Sequence, residues 1–147
     1  MNLSEVFSIN GSAMGAQMLR MEIIGANVAN VNTTRTPEGG PYRRRDVVFE
    51  VVPQRTGDFS SVLGRASESV GAGVRVSKVI EDSSPFLMRF DPQHPDAGPD
   101  GYVRYPNVNL VAEMVNLVEA SRSYDANISV IQATKNMIAK TFEIGRS

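Results

Sequence analysis

The stretch that decides the fold is Asn107–Ser147, NVNLVAEMVNLVEASRSYDANISVIQATKNMIAKTFEIGRS. Apolar residues recur along it every seven positions, at Leu110, Leu117, Tyr124, Ile131 and Ile138. Such a repeat indicates a helix that buries one seam of side chains. A single helix over 110–144 would be roughly 50 Å long at about 1.5 Å per residue. It must therefore cover its apolar side with another long helix, from the same chain or from a neighbour.

The other end of the chain carries a matching pattern. Within residues 1–32 the same seven-residue spacing joins Phe7, Met14, Met21 and Val28. We therefore expect a second long helix, paired with the first through these two rows as a coiled-coil-like unit. Three glycines each weaken an isolated N-terminal helix by about 1 kcal/mol relative to alanine. The small residues over 11–16 also leave room for another backbone to approach closely.

The middle of the chain is built differently, because all eight prolines lie between Pro37 and Pro106. Proline is poorly tolerated inside helices, so the terminal thirds are kept free for them. Alternating apolar and polar residues predict strands over 42–52, around 74–80 and over 86–90. Residues 54–72 are rich in Gly and Ser, which predicts a mobile loop. The predicted fold is α+β and mainly α. A terminal helical domain (1–32 and 107–147) carries a β-rich middle module (33–106) between its two helices.

Both helices hold more apolar residues than one helix-to-helix contact can cover. A surplus of this kind is typical of proteins that contact further copies or partners. We predict subunit contacts at Met18, Val111, Met114, Val115, Val118, Ile128 and Phe142.

Composition excludes several classes of function. Lys and Arg total 15 against 16 Asp and Glu, so charge does not favour nucleic acid. Cysteine is absent, which removes disulfides, thiolate metal sites and cysteine nucleophiles. No apolar run reaches the roughly 20 residues of a transmembrane helix, and the first residues lack the pattern of a cleaved signal peptide. The balance favours a protein partner.

Two clusters invite a chemical interpretation. Asp91, His94, Asp96 and Asp100 could bind a metal ion, or serve a hydrolase through His94, but their spacing fits no calcium loop and their Pro- and Gly-rich setting is typical of turns. The three arginines at 43–45 could contact phosphates, but no aromatic residues are interleaved with them. We interpret them as a solvated or subunit-facing strand start. We predict no catalytic, cofactor-binding or metal residues, and no small-molecule substrate.

Several motifs together resemble the bacterial flagellar axial proteins, and their combination is similar to the proximal rod proteins of the basal body. The motifs are ANVANVNT at 26–33, PYR at 41–43, HPDA at 94–97, DGYVRYPNVN at 100–109, EMVNL at 113–117 and ASRSYDAN at 120–127. The family motif residues are Asn27, Asn30, Asn32, Tyr102, Pro106 and Asn107. The resemblance covers essentially the whole chain except residues 54–71.

This resemblance implies a structural subunit of the flagellar basal-body rod. Such a subunit would be exported through the flagellar type III apparatus without a cleaved signal peptide and would assemble helically with itself and with other rod proteins. The alternative from the residues alone is a soluble coiled-coil adaptor that binds a single helical partner.

Overall fold

The computed structural model describes residues 3–52 and 73–145. The elements follow one another as α1 (Leu3–Ala29), β1 (Arg45–Val52), β2 (Gly73–Glu81), β3 (Leu87–Phe90), β4 (Tyr102–Tyr105) and α2 (Leu110–Ile144). Two long terminal helices with small sheets between them confirm the α+β, mainly helical fold. The mobile loop predicted at 54–72 lies outside the described residues.

Asparagines mark the inner ends of both helices. The Asn109 side-chain oxygen accepts hydrogen bonds from the backbone N–H groups of Val111 (3.1 Å) and Ala112 (3.2 Å), so Asn109 is the N-cap of α2. At the end of α1, the side-chain amide of Asn30 donates to the Ala26 carbonyl at 2.9 Å. Asn10 and Asn127 make the same kind of bond inside the two helices, so this bond does not by itself end a helix. Helix α1 ends at Ala29, within the predicted helical segment 1–32.

The strands form two separate two-stranded sheets. In the first, β1 pairs with β2, and the ion pairs Arg45–Glu81 and Glu50–Arg75 show that the two strands run in opposite directions. Strand β1 begins at Arg45 rather than at the predicted residue 42. The Tyr42 N–H instead donates to the Thr33 carbonyl at 3.0 Å, which engages this residue in the loop that precedes the strand.

The second sheet is an antiparallel pair of strands, of which only the first was predicted from the sequence. Strand β3 pairs with β4 in the register Leu87↔Tyr105 to Phe90↔Tyr102. The strand predicted over 86–90 is present as Leu87–Phe90, but β4 was not predicted. Its four residues are bracketed by Gly101 and Pro106, which is too short a run for alternation to be recognised.

The chain divides into two compact units, and each is described by itself. Unit 1 comprises Met1–Met18, Phe49–Ser77 and Ser121–Ser147, and unit 2 comprises Leu19–Val48 and Lys78–Ala120. Among the described residues of unit 1, Ala16 and Thr134 are buried. The Ser12 hydroxyl accepts from the Val74 N–H at 3.0 Å, so the start of β2 lies against the small-residue segment over 11–16.

Unit 2 holds the largest buried side chains in the described part of the chain. Val103 and Pro106 are apolar, but Glu113 and Asn27 are as deeply buried as either of them. Burying a carboxylate and an amide without partners is costly. The polar contacts of these two side chains therefore decide how unit 2 is held together.

Gly101 offers a test of the turn between β3 and β4. Its φ is +76°, and a Cβ there would lie 2.8 Å from the Phe90 ring, which packs edge-on against Tyr102. We expect Gly101→Ala to cost roughly 1–2 kcal/mol for the backbone and up to about 1 kcal/mol for the displaced ring pair. Gly40, at φ +80° with open space around it, is the control. Thermal unfolding should show a larger loss for Gly101→Ala than for Gly40→Ala, and equal losses would disprove a role for the ring.

Candidate functional site

Six residues of unit 2 form one hydrogen-bonded cluster, which we call the polar junction, and Asn27, Tyr42 and Glu113 are its buried members. It contains Asn27 of α1, Tyr42, Arg44 and the backbone of Arg45 at or just before the start of β1, and Asn107 and Glu113 just before and within the first turn of α2. Within unit 2 it therefore links the end of the first helix, the first strand and the beginning of the second helix.

Asn27 is the centre of the polar junction. Its side-chain nitrogen donates to the Arg45 carbonyl at 2.8 Å and to Glu113 Oε2 at 3.0 Å. Its side-chain oxygen accepts from the Arg45 N–H and the Tyr42 hydroxyl, both at 2.9 Å. An amide side chain offers two donors and two principal acceptor positions, and all four are used. The side chain is fully buried, so no water can substitute for a lost partner.

Glu113 and Arg44 form the charged pair of the junction. The Arg44 Nε lies 2.7 Å from Glu113 Oε1, and the carboxylate is only 1% exposed. Arg44 also contacts Asp46 at 3.0 Å. Burial lowers the pKa of the Arg44 guanidinium, but the hydrogen bonds to Glu113 and Asp46 outweigh it, so the net pKa is raised. Arg44 is therefore held in its charged form, as a carboxylate partner requires.

Asn107 holds the same strand from the side of α2. Its side-chain oxygen accepts from the Arg44 N–H at 2.9 Å, and its nitrogen donates to the carbonyls of Asp82 (3.1 Å) and Ser84 (3.3 Å). Asn27 binds the backbone of Arg45. Arg44, just before β1, and Arg45, its first residue, are thus bound through their backbones by Asn107 and Asn27, which are 80 residues apart in the sequence.

Tyr42 completes the junction as a neutral donor. Burial, its largest influence, raises the pKa of the Tyr42 phenol, whereas the neighbouring Arg45 guanidinium lowers it to a smaller extent. The net pKa is raised, so the hydroxyl keeps the proton that it donates to Asn27. The Arg45 guanidinium lies 5.8 Å from the centre of the Tyr42 ring.

The structure brings two of the six motif residues, Asn27 and Asn107, into one cluster and places the others elsewhere. Asn27 and Asn107 belong to the polar junction, and Pro106 is fully buried next to Asn107 in sequence. Asn30 directly follows α1 and binds the Ala26 carbonyl, Asn32 is exposed, and Tyr102 contacts Phe90 at the tip of the second sheet.

Arg44 and Glu113 were not found by sequence reasoning. The interpretation of 43–45 as a solvated or subunit-facing strand start is wrong for Arg44, whose side chain is only 20% exposed and paired with Glu113 of the same chain. A signal for Glu113 does exist. It begins a second seven-residue row, three positions after the apolar seam, formed by Glu113, Ala120, Asn127 and Thr134. Three members of this row are buried and Asn127 is half-buried.

The predicted seam residues differ in exposure along α2. Leu110 and Leu117 are each more than one-third exposed, whereas Tyr124, Ile131 and Ile138 are half-buried. The predicted seam residues of α1, Phe7, Met14, Met21 and Val28, are all half-buried. Their pairing as one continuous seam stays a prediction.

The predicted subunit contacts lie mostly at the surface of the chain. Ile128 is half-buried, and the remaining six are more than half exposed: Met18, Val111, Met114, Val115, Val118 and Phe142. Four of the six fall within about two turns at the start of α2. Their role in assembly stays a prediction.

The residues weighed as a metal site form turn contacts. His94 Nδ1 accepts from the Asp96 N–H at 3.1 Å, and the Asp96 carboxylate accepts from the Thr34 hydroxyl at 2.7 Å. The His94 ring lies edge-on to Tyr105, with 6.2 Å between the ring centres. Over residues 3–52 and 73–145 no group of three or more His, Asp or Glu side chains could hold a metal ion. Within the same ranges, no helix has the length and apolarity that a membrane span requires.

Two family models match the two ends of the chain. Residues 7–35 match the model described as flagella basal body rod protein, and residues 100–144 match the C-terminal model of the flagellar basal body rod FlgEFG proteins. The first match contains Asn27, and the second contains Asn107 and Glu113.

Full-length similarity extends to curated proteins from distant bacteria. The flagellar basal-body rod protein FlgC of Borreliella burgdorferi is 40% identical over 98% of each chain. The Bacillus subtilis protein of the same name is 42% identical over 95% of each chain. That of Salmonella typhimurium is 40% identical over 99% of this chain and 100% of its own.

Proposed function

Because this chain belongs to the FlgC family of flagellar basal-body rod proteins, we propose that it assembles helically, with copies of itself and with other rod proteins, through its terminal helices. It is a structural subunit of the basal-body rod. The relatives carry a structural name, and we propose that this chain likewise has no catalytic role.

The observation that carries the assembly proposal is an apolar stripe on the first turns of α2. It consists of Val111, Met114, Val115 and Val118, each more than half exposed. The spacing of three and four residues places them on one face of the helix. Helix α2 also buries Glu113 and Ala120, which lie on the opposite face. The helix therefore has a covered side and an uncovered apolar side, and the latter suits a neighbouring subunit.

Unit 1 offers further candidates for subunit contacts. Met18 of α1 is 53% exposed, and Phe142 near the end of α2 is 72% exposed. A large apolar side chain on its own at the surface is ordinary, so these two support the proposal less than the stripe does. We assign Ile128, which is half-buried, to the same class because of its place in the sequence pattern.

We also propose a role for each part of the chain. Residues 1–32 and 107–147 would form the rod core, and residues 33–106 would form a module carried by it. We also propose that the chain is exported through the flagellar type III apparatus, and its family membership is the support for this.

Stoichiometry separates this function from that of a coiled-coil adaptor with one helical partner. An affinity-tagged copy expressed in place of the native chain should co-purify with intact basal bodies, in several copies per particle. Quantitative mass spectrometry against a labelled standard provides the count. Recovery only as a one-to-one complex with a single protein, and absence from basal bodies, would support the adaptor instead.

A further inference from the structure

The apolar rows of the two helices do not define a unique alignment between them. Both rows repeat every seven residues, so a slip of seven places Leu110 or Tyr124 where Leu117 had been. Either replacement is apolar. Since Leu117 is also more than one-third exposed, the change in buried surface is small. The seam thus favours pairing without deciding its register.

The polar junction removes this ambiguity. In unit 2, Asn27 lies opposite Glu113, and Arg20 lies 3.7 Å from Glu119. A slip of seven residues would bring the Asn27 amide opposite either Ala120 or Pro106, and neither side chain has an acceptor. The Glu113 carboxylate would at the same time lose Asn27 while remaining buried. A buried polar pair is the best-attested device for selecting one helix register among several.

The strand start acts as a common reference for both helices. Asn27 binds the backbone of Arg45, while Asn107 and Glu113 bind the backbone and side chain of Arg44. Because these two residues are consecutive, both helices are positioned against neighbouring points of one strand. We infer that the polar junction sets the register of α1 against α2, and that the apolar seam supplies affinity without alignment. This inference does not require that the chain assemble into a rod.

A distance measurement within one chain tests the inference. The chain has no cysteine, so Glu22→Cys and Ala112→Cys, both at exposed positions of unit 2, accept spin labels without competition. Labelled protein is diluted into an excess of unlabelled protein, so that pulsed electron paramagnetic resonance reads distances within single chains. The test variant is Asn107→Ala with Glu113→Leu, in which Arg44 keeps its contact with Asp46. The control is Leu117→Ala, which weakens the seam and leaves the junction intact.

We expect one narrow distance in the labelled parent protein and in Leu117→Ala. The junction variant should keep its helix content by circular dichroism but show additional distances, because a slip of seven residues moves one helix about 10 Å along the other. Three results would overturn the inference. They are a narrow parental distance in the junction variant, additional distances in Leu117→Ala or in the parent, and loss of helix in the junction variant. The last would mean that the helices need the junction in order to form at all, so that it does not act on their alignment as such.

Discussion

Replacing Asn27 by aspartate should unfold unit 2 or leave it barely stable. The substitution keeps the size of the side chain but removes the N–H groups that bind Glu113 at 3.0 Å and the Arg45 carbonyl at 2.8 Å. It also brings a second carboxylate against Glu113, in a site with no access to water. Breaking a buried charged network in this way costs roughly 3–5 kcal/mol. Small domains often have little more stability than that in total.

Asn32→Asp is the matched control for this prediction, because it makes the same chemical change five residues away in the same motif. Asn32 is exposed, so its unfolding free energy should change by less than about 0.5 kcal/mol. Urea unfolding followed by circular dichroism measures both variants. If Asn27→Asp were as stable as Asn32→Asp, the hydrogen bonds of the junction would contribute little to the fold.

Val111→Asp should abolish rod assembly while leaving the subunit folded. Val111 is 71% exposed, so a carboxylate there remains hydrated in the free chain, and an acidic residue in the first turn of a helix is favourable. In an assembled rod the same carboxylate would be buried against a neighbour without a partner. Expression and melting temperature should match those of the parent protein, but basal bodies should lack a complete rod and cells should not swim.

Ala112→Asp separates a specific contact from the effect of added charge. It also introduces an acidic residue in the first turn of α2 at an exposed position, but about 100° around the helix from Val111. We expect it to assemble and to support swimming in soft agar. Normal motility with Val111→Asp would exclude the stripe as a subunit contact. A loss of motility with Ala112→Asp as well would show that this end of the helix does not tolerate charge.

Periodicity was sufficient to predict the helices but not what aligns them. The bounds of α2, Leu110–Ile144, follow from a seven-residue repeat with five members. Such long repeats are local, so they need no knowledge of the partner. Strand β4 has only four residues and no comparable repeat, and its existence depends on pairing with β3. The start of β1 also depends on partners that are distant in sequence, since the Tyr42 N–H binds the Thr33 carbonyl and the strand begins only at Arg45.

The polar junction was hidden because its contacts are remote in sequence. Asn27 and Glu113 are 86 residues apart, and Arg44 and Glu113 are 69 apart. Taken singly, each charged residue is expected at the surface, where most Arg and Glu side chains lie. The Glu113 and Arg44 side chains can be buried only because a carboxylate, a guanidinium and two asparagines meet in one place. Family resemblance pointed to Asn27 and Asn107 without revealing their partners.

The junction and the stripe divide α2 into two sides with different roles. Glu113 faces the chain's own strand and first helix, and Val111, Met114, Val115 and Val118 face away from it. A buried charged pair is a weak source of net stability but a strong restraint on geometry. An exposed apolar stripe has the opposite character, since it attracts partners without orienting them. A rod subunit needs both properties on the same helix.

The most direct test of this account is a side-chain-resolution map of the basal body by electron cryomicroscopy. We expect Asn27, Arg44 and Glu113 to remain hydrogen-bonded within each subunit, and Val111, Val115 and Val118 to be covered by a neighbouring subunit. A rod in which this stripe faces solvent, or in which Glu113 pairs with a residue of another subunit, would contradict it.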